Sequence, residues 1–417
     1  MEIRAARESE LEQVVELCCL AFNPDGHERY WQYVRGDSSY RLPQTRVVVV
    51  NDTVISTLRV WERRIRVGTS FVTMGGIGGV GTHPKYRGVG YASALMRDTI
   101  DYLRMTGCDI GALFTIIPAA FYRRLGWTPL PLHGFNVACE STTRAVDSSE
   151  WQLTDFNLET DLNAVAALYD LANAQQSGTI ARTRAYWDMA PCRIRDVLPT
   201  VVARQDGRIG GYLNYGMHDS GKHPSKNTPP TKTAEVREVG YIPDNPEVLE
   251  ALVSHFLKVC EAQEVEKIEG TFSPQHPFVD RLTAGGNDGL TPTTDMKMML
   301  YAVNLPVFLR RLVVGWESRI TDAEETFPPF TVQLPALNNQ QVALRHNADG
   351  TLQIVPEDTD TVKLGVDLTE ADFWQLLFGE IGWDQVSSEA SVSPEISTFL
   401  GTLFPKRDVI FWSPDRY

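Results

Sequence analysis

Cysteine is scarce and scattered. Cys18, Cys19, Cys108, Cys139, Cys192 and Cys260 are the six among 417 residues, with no C-x-x-C pair. That spacing argues against a structural zinc site and against a disulfide framework. The opening Met1-Glu2-Ile3-Arg4 lacks the apolar core of a signal peptide, and no run approaches a membrane span. A reducing cytoplasm is the expected setting. Basic residues are in deficit, 39 Lys and Arg against 53 Asp and Glu, for a net charge of −14. Nucleic-acid binding through a general basic field is thereby excluded. A negative field could draw in a cationic amine, and an acidic surface that only aids solubility explains the same number. Neither His27 nor His83 has metal-ligand neighbours, so no metal is expected. The remainder, 43% hydrophobic and 22% charged, is ordinary for globular chains. Its length exceeds one core and predicts two or three domains.

The informative stretch is Val80-Gly81-Thr82-His83-Pro84-Lys85-Tyr86-Arg87-Gly88-Val89-Gly90-Tyr91-Ala92. It predicts a strand, a glycine turn and then an amphipathic helix. Leu95, Met96, Ile100 and Leu103 mark one helix face, and Gly107 stands at the C′ position. Gly88 and Gly90 permit close backbone approach, and their N–H groups would point at an anion over the helix N-terminus. Such a loop suits a diphosphate. A rival reading lies upstream, where Gly76-Ile77-Gly78-Gly79-Val80-Gly81 has the G-x-G-x-x-G spacing of a dinucleotide loop. That loop needs a helix beginning on its last glycine, but Thr82-His83-Pro84 follows, and proline disfavours helix in the residue before it. No acidic residue closes a second strand about twenty residues on. These glycines are better read as serving a crowded strand, with or without a bulge, near a ligand.

Asp109 to Ile116 is an apolar strand candidate, followed by Pro118-Ala119-Ala120-Phe121-Tyr122-Arg123-Arg124-Leu125-Gly126-Trp127. The two stretches together resemble the GNAT acyltransferases. That family's coenzyme loop reads Arg or Gln, two residues, Gly, one residue, then Gly or Ala. Arg87, Gly90 and Ala92 fill those places, and Phe121-Tyr122 with Leu125-Gly126-Trp127 is similar to the family's aromatic segment. The resemblance implies acetyl-CoA as cosubstrate. Val80, Gly81 and Thr82 would run along its pantetheine arm, and Arg87, Gly88, Val89, Gly90, Tyr91 and Ala92 would surround its pyrophosphate. It also implies that Tyr122 protonates the departing thiolate, while a backbone N–H near Val80 stabilises the oxyanion. Tyrosine's ordinary pKa of about 10 keeps that proton at neutral pH. A core-filling aromatic is the bland alternative for Tyr122.

Along the chain, Ser9-Glu10-Leu11-Glu12 predicts a capping box ahead of a helix carrying Leu11, Val14, Val15, Cys18 and Phe22. Arg46–Val50 and Thr53–Leu58 around Asn51-Asp52 predict a hairpin, and Leu58 to Val67 continues the sheet. A helix over 161–172 and a hairpin turning at Asp206-Gly207 recur in the second third, which hints at a duplicated fold. No Arg-x-x-Gly-x-Ala loop occurs there, so that half has no coenzyme site. His218 to Thr233 reads as a long exposed loop, rich in the residues that also favour disorder. From Leu305 a helix with an early proline, strands at 330–334, 341–345 and 352–356, and a helix over Ala371–Gly379 are expected.

In order, these pieces resemble the Eis family of N-acetyltransferases. The resemblance rests on the coenzyme loop, on Met296 to Tyr301 leading to Leu305–Leu309, on Phe373 to Gly379, and on the closing Leu403-Phe404-Pro405 and Trp412 to Tyr417. It implies an α/β (α+β) architecture in three parts: a catalytic GNAT domain over 1–145, a degenerate GNAT-like domain over 146–302, and a sterol-carrier-like domain over 303–417. It further implies a homohexamer without a membrane span, and a small-molecule amine or lysine side chain as acceptor. The α-carboxylate of Tyr417 would reach the active site as base or amine anchor. Phe22, Asp25 and Trp31, with Tyr33, would line the acceptor pocket, although an aspartate in a loop is commonly a cap or turn residue. A reading from another class is a non-catalytic carrier of acyl-CoA or another apolar ligand.

Overall fold

The computed structural model describes the chain apart from residues 118, 144–149, 189–196, 221–229, 244, 284–288, 324, 357–360, 365–367, 387–391 and 417. Pro118, Cys192, Tyr417 and most of the loop expected over 218–233 thus lie outside the described residues. Among the described residues no helix is long and apolar enough to cross a membrane.

The first unit runs β1 (Glu2–Ala5), α1 (Leu11–Ala21), α2 (His27–Arg35), β2 (Thr45–Val50), β3 (Thr53–Val67), β4 (Ser70–Thr82), α3 (Tyr91–Met105), β5 (Ile110–Phe114), α4 (Ala120–Arg123) and β6 (Thr128–Pro129). Asn51 and Asp52 take φ of 48° and 60°, the left-handed pair of a type I′ turn, so β2 and β3 form the expected hairpin. The capping box expected at Ser9 and Glu12 does not form. A 3-10 turn over Glu8–Glu10 precedes α1, and the Glu10 carboxylate accepts from the Arg7 amide at 2.7 Å and from Arg4.

The second unit has β7 (Leu132–Ala138), β8 (Gln152–Asp155), α5 (Leu158–Ala172), α6 (Arg184–Asp188), β9 (Val201–Gln205), β10 (Arg208–Ser220), β11 (Thr231–Tyr241), α7 (Pro246–Ala262), β12 (Lys267–Gly270), α8 (Pro277–Leu282) and β13 (Leu290–Asp295). Residues 218–220 and 231–233 are therefore strand rather than the exposed loop predicted for them. The hint of duplication has a counterpart in the pairing. In the first sheet antiparallel β2, β3 and β4 lead to a parallel β4–β5 pair; in the second, antiparallel β9, β10 and β11 lead to a parallel β11–β12 pair.

The two sheets then exchange strands. The strand β14 (Met298–Ala302) inserts between β5 and β6, while β7, which directly follows β6 in the chain, pairs with β12 and β13 in the second sheet. Sheet membership thus crosses the expected boundaries near 145 and 302. The third unit has α9 (Leu305–Asp322), a three-stranded sheet of β15 (Phe330–Gln333), β16 (Ala343–His346) and β17 (Leu352–Val355), then α10 (Glu370–Phe378) and α11 (Pro394–Leu403). Its core is continuous with Ile65, Val67, Val72 and Met74 on the outer half of hairpin β3–β4.

The closing segment is packed, not frayed. Val409, Phe411, Trp412 and Asp415 are all buried, and the Ile410 amide bonds the Ser177 carbonyl at 2.8 Å. Asp415 meets Arg182, which is wholly buried. The Arg182 Nε and Nη2 donate to the Asp415 carboxylate at 3.0 and 2.9 Å, and its other edge grips Glu238. Tyr169 and Trp187 cover the guanidinium faces at 4.1 and 4.6 Å. Burial raises the Glu238 carboxyl above its ordinary range against the pull of Arg182. A buried pair is costly to break because the remaining charge is stranded. Arg182→Met is accordingly expected to lower unfolding free energy by about 3–5 kcal/mol in denaturant titration; a loss below about 1 kcal/mol would show that the cluster contributes nothing net.

Candidate active site

The site begins where two parallel strands part. β4 and β5 pair from Met74 opposite Ile110 to Ile77 opposite Leu113. β5 ends one residue later at Phe114, while β4 continues through Gly78–Thr82, which among the described residues pairs only with β3. One edge of that segment is left without a strand partner, open to a ligand that can pair with backbone. Its register slips by one residue between Thr57 and Arg59, and Gly79 there has φ of 61°. This is the β-bulge that the glycines left open.

Those glycines also permit side-chain approach. A Cβ at Gly78 would sit 2.6 Å from the Tyr33 hydroxyl and 2.9 Å from the Trp61 ring, and one at Gly81 would lie 3.6 Å from the Phe22 ring. Phe22, Tyr33 and Trp61 thus wall the open strand. Trp61 was not singled out by the sequence; it sits in an imperfectly alternating stretch with nothing to distinguish it. Trp31 packs in the α1–α2 core, with the Arg35 guanidinium 4.7 Å over its ring. Asp25 lies in an exposed turn, where its amide donates to the Asn23 side chain at 3.2 Å.

Beyond Thr82, a 3-10 turn capped by the His83 ring leads to the glycine loop. The Arg87 Nε donates to the Thr82 carbonyl at 3.0 Å and ties loop to strand. Gly88 and Gly90 have φ of 83° and 96°, with open space at both. Gly90 is the N-cap of α3 and provides no side chain to its orphan amides. Helices α5, α7 and α9 are capped by Asn157, Asn245 and Asn304. α7 follows β11 as α3 follows β4, so the capped helix is the physical counterpart of the missing loop in the second unit. An uncapped helix start with its positive dipole end exposed is a ready anion site. At the other end, Gly107 has φ of 76°, and its amide and that of Cys108 bond Arg104 and Leu103, a Schellman closure at the expected residue.

Tyr122 lies on α4, fixed by a double acceptance at its carbonyl from the Leu125 and Trp127 amides. Trp127 is fully buried against Gly111, whose missing side chain makes room for it. Tyr122 is buried in the same hydrophobic cluster against which Val80 of the open strand and Tyr86 and Tyr91 at either end of the loop pack. Burial pushes its hydroxyl up to about 12, partly offset by Thr115, its polar neighbour just past the end of β5. Such a group holds its proton throughout the neutral range and can donate it. The chain's closing segment approaches the same strand end: Arg416 stands 5.4 Å over the Phe114 ring, and the Phe411 ring centre is 6.1 Å from that of Phe114. Asp415 and its partners Arg182 and Tyr186 were missed in sequence because their contacts span more than two hundred residues.

Comparison with known proteins bears on this geometry. Residues 2–130 match the acetyltransferase (GNAT) domain family. No curated protein matches the sequence. A structure from Enterococcus faecalis, described as a probable N-acyltransferase of unknown function, superposes with a TM-score of 0.71 at 16% identity, covering 98% of this chain and 97% of that one. A GCN5-related N-acetyltransferase from Anabaena variabilis gives 0.70 at 16%, over 98% and 100%. Eis1 from Mycobacterium abscessus gives 0.64 at 17%, over 100% of both. The fold is the GNAT fold, in a mixed α/β architecture, and the chain carries a GNAT acetyltransferase domain. Gly90→Glu, which sets a carboxylate at the helix start, is expected to weaken acetyl-CoA binding at least about tenfold by calorimetry, with the fold intact by circular dichroism. Unchanged affinity would remove this loop from the coenzyme site.

Proposed function

We propose that the protein transfers the acetyl group of acetyl-CoA to a primary amine by direct attack. The observation that carries this reading is the open edge of Gly78–Thr82 lying beside an uncapped helix start. The pantetheine arm would extend the sheet in place of β5, and its pyrophosphate would cap α3. In the transfer a neutral amine attacks the thioester carbon, the carbonyl oxygen gains charge, and the C–S bond breaks as the sulfur takes a proton. The Val80 N–H, on the bulged strand, is our candidate oxyanion donor. Tyr122 is the acid, and its high pKa supports that role because the proton is retained until it is needed.

The base or amine anchor in this reading is the α-carboxylate of Tyr417. The burial of Phe411 to Asp415 and the clamp of Arg182 on Asp415 support it, since they hold Arg416, the residue before Tyr417, near the end of β5. The acceptor belongs to the class of small amines and lysine side chains, with Phe22, Tyr33 and Trp61 as its aromatic wall and Asp25 and Trp31 further out. The division at 145 and 302, a sterol-carrier type for the third unit, assembly as a homohexamer and a cytoplasmic setting belong to the same reading.

Tyr122→Phe is expected to lower kcat about 10²-fold or more while leaving acetyl-CoA affinity unchanged in calorimetry. Wild-type turnover in that variant would exclude Tyr122 as the acid. A single glycine added after Tyr417 is expected to cripple transfer without changing the melting temperature. A fully active extended protein would rule out the terminal carboxylate, leaving the coenzyme site untouched.

A further inference from the structure

We propose that Arg319 and Arg407 form a binding site for a small oxyanion, a phosphate, sulfate or carboxylate group, at the junction of the three units. Arg319 lies on α9 and Arg407 shortly after α11, and both reach the tip of hairpin β3–β4. The point where a side chain would begin at Gly68 lies 1.9 Å from Nη1 of Arg407 and 2.8 Å from Nη2 of Arg319, so the two nitrogens are within about 5 Å of each other. Gly68, with φ of 59°, leaves room for both where any side chain would displace them. Ser177 adds a hydroxyl at the same tip, its oxygen accepting from the Gly68 amide at 3.0 Å.

Two like charges held this close need compensation, and no carboxylate among the described residues supplies it. Neither arginine forms an ion pair among the described residues. Asp408, the next residue along, turns its carboxyl toward Ser273, and Glu380 pairs with His133. Burial pushes the Arg319 guanidinium down to about 9, with Arg407 adding to the shift, and burial lowers Arg407 as well. Helix capping accounts for part of the arrangement. Nη1 of Arg319 donates to the Leu403 carbonyl at the end of α11, and the Arg407 stem lies along Gly379 after α10. It leaves their mutual repulsion unopposed, and Arg407 has no hydrogen-bond acceptor for its guanidinium among the described residues. Paired guanidinium forks with unused donors are the arrangement that an oxyanion neutralises.

The hairpin tip belongs to the first unit, Ser177 to the second, and both arginines to the third. A bound anion would therefore tie all three at the root of the closing segment, whatever the reaction.

The test uses the full-length protein, purified in chloride, with thermal unfolding followed as inorganic phosphate, sulfate or acetate is titrated against sodium chloride at equal ionic strength. A saturable rise of about 3–5 °C at an oxyanion concentration a hundredfold above its dissociation constant is expected for at least one of them. Arg407→Gln and Arg319→Gln should each abolish it. Should either variant fail to fold, Arg407→Lys should keep the charge, lose the fork and weaken binding about tenfold by calorimetry. No saturable rise above chloride would overturn the proposal. So would an equal rise in Arg407→Gln, as phosphate acting at the start of α3 would give.

Discussion

The parting of β4 from β5 after four paired positions governs the rest of the structure. A parallel pair that stayed together would bury its edge and leave nothing for a ligand. Here β5 stops at Phe114, and the glycine-rich end of β4 is left with one unsatisfied edge in the middle of the sheet. Unpaired backbone inside a fold is costly unless something else pairs with it. An extended amide-bearing chain such as pantetheine is the partner whose chemistry matches. The bulge at Gly79 and the uncapped α3 act in the same direction, re-aiming the strand end and holding amides toward an anion.

In the proposed reading the second and third units complete the site from outside. The second repeats the pairing pattern of the first, but its helix α7 starts under an Asn245 cap that accepts from the Val248 amide, and Pro246 has no N–H to offer. Its contribution is Arg182, whose buried clamp on Asp415 fixes the closing segment. The third unit packs α9 on the outer half of the hairpin and delivers that segment past Gly68 and Ser177 to the end of β5. In this account the catalytic sheet carries the coenzyme, and the other two units present the groups that finish the chemistry.

How much of this was legible in the sequence follows from the range of each interaction. The turn at Asn51-Asp52, the closure at Gly107 and the left-handed glycines ahead of α3 are local, because backbone sign and sterics act within a few residues. Pro84, together with the lack of an acidic residue closing a second strand, argued against a dinucleotide fingerprint at Gly76–Gly81. The exchange of β7 and β14 between sheets was not legible: each reads as a strand, but its choice of partner depends on tertiary packing. The capping of α1 was misread because Glu10, drawn to Arg4 and the Arg7 amide, outcompeted Ser9. The role of Asp415 was not legible because its partner Arg182 lies more than two hundred residues away.

The central claim is that acetyl-CoA occupies the open edge of β4 and the start of α3. Amide hydrogen exchange with and without acetyl-CoA tests it most directly. The account predicts slowed exchange concentrated in residues 78–82 and 88–92, with the second unit's β10, β11 and α7 unchanged. Protection confined to other segments, or none at saturating coenzyme, would contradict it.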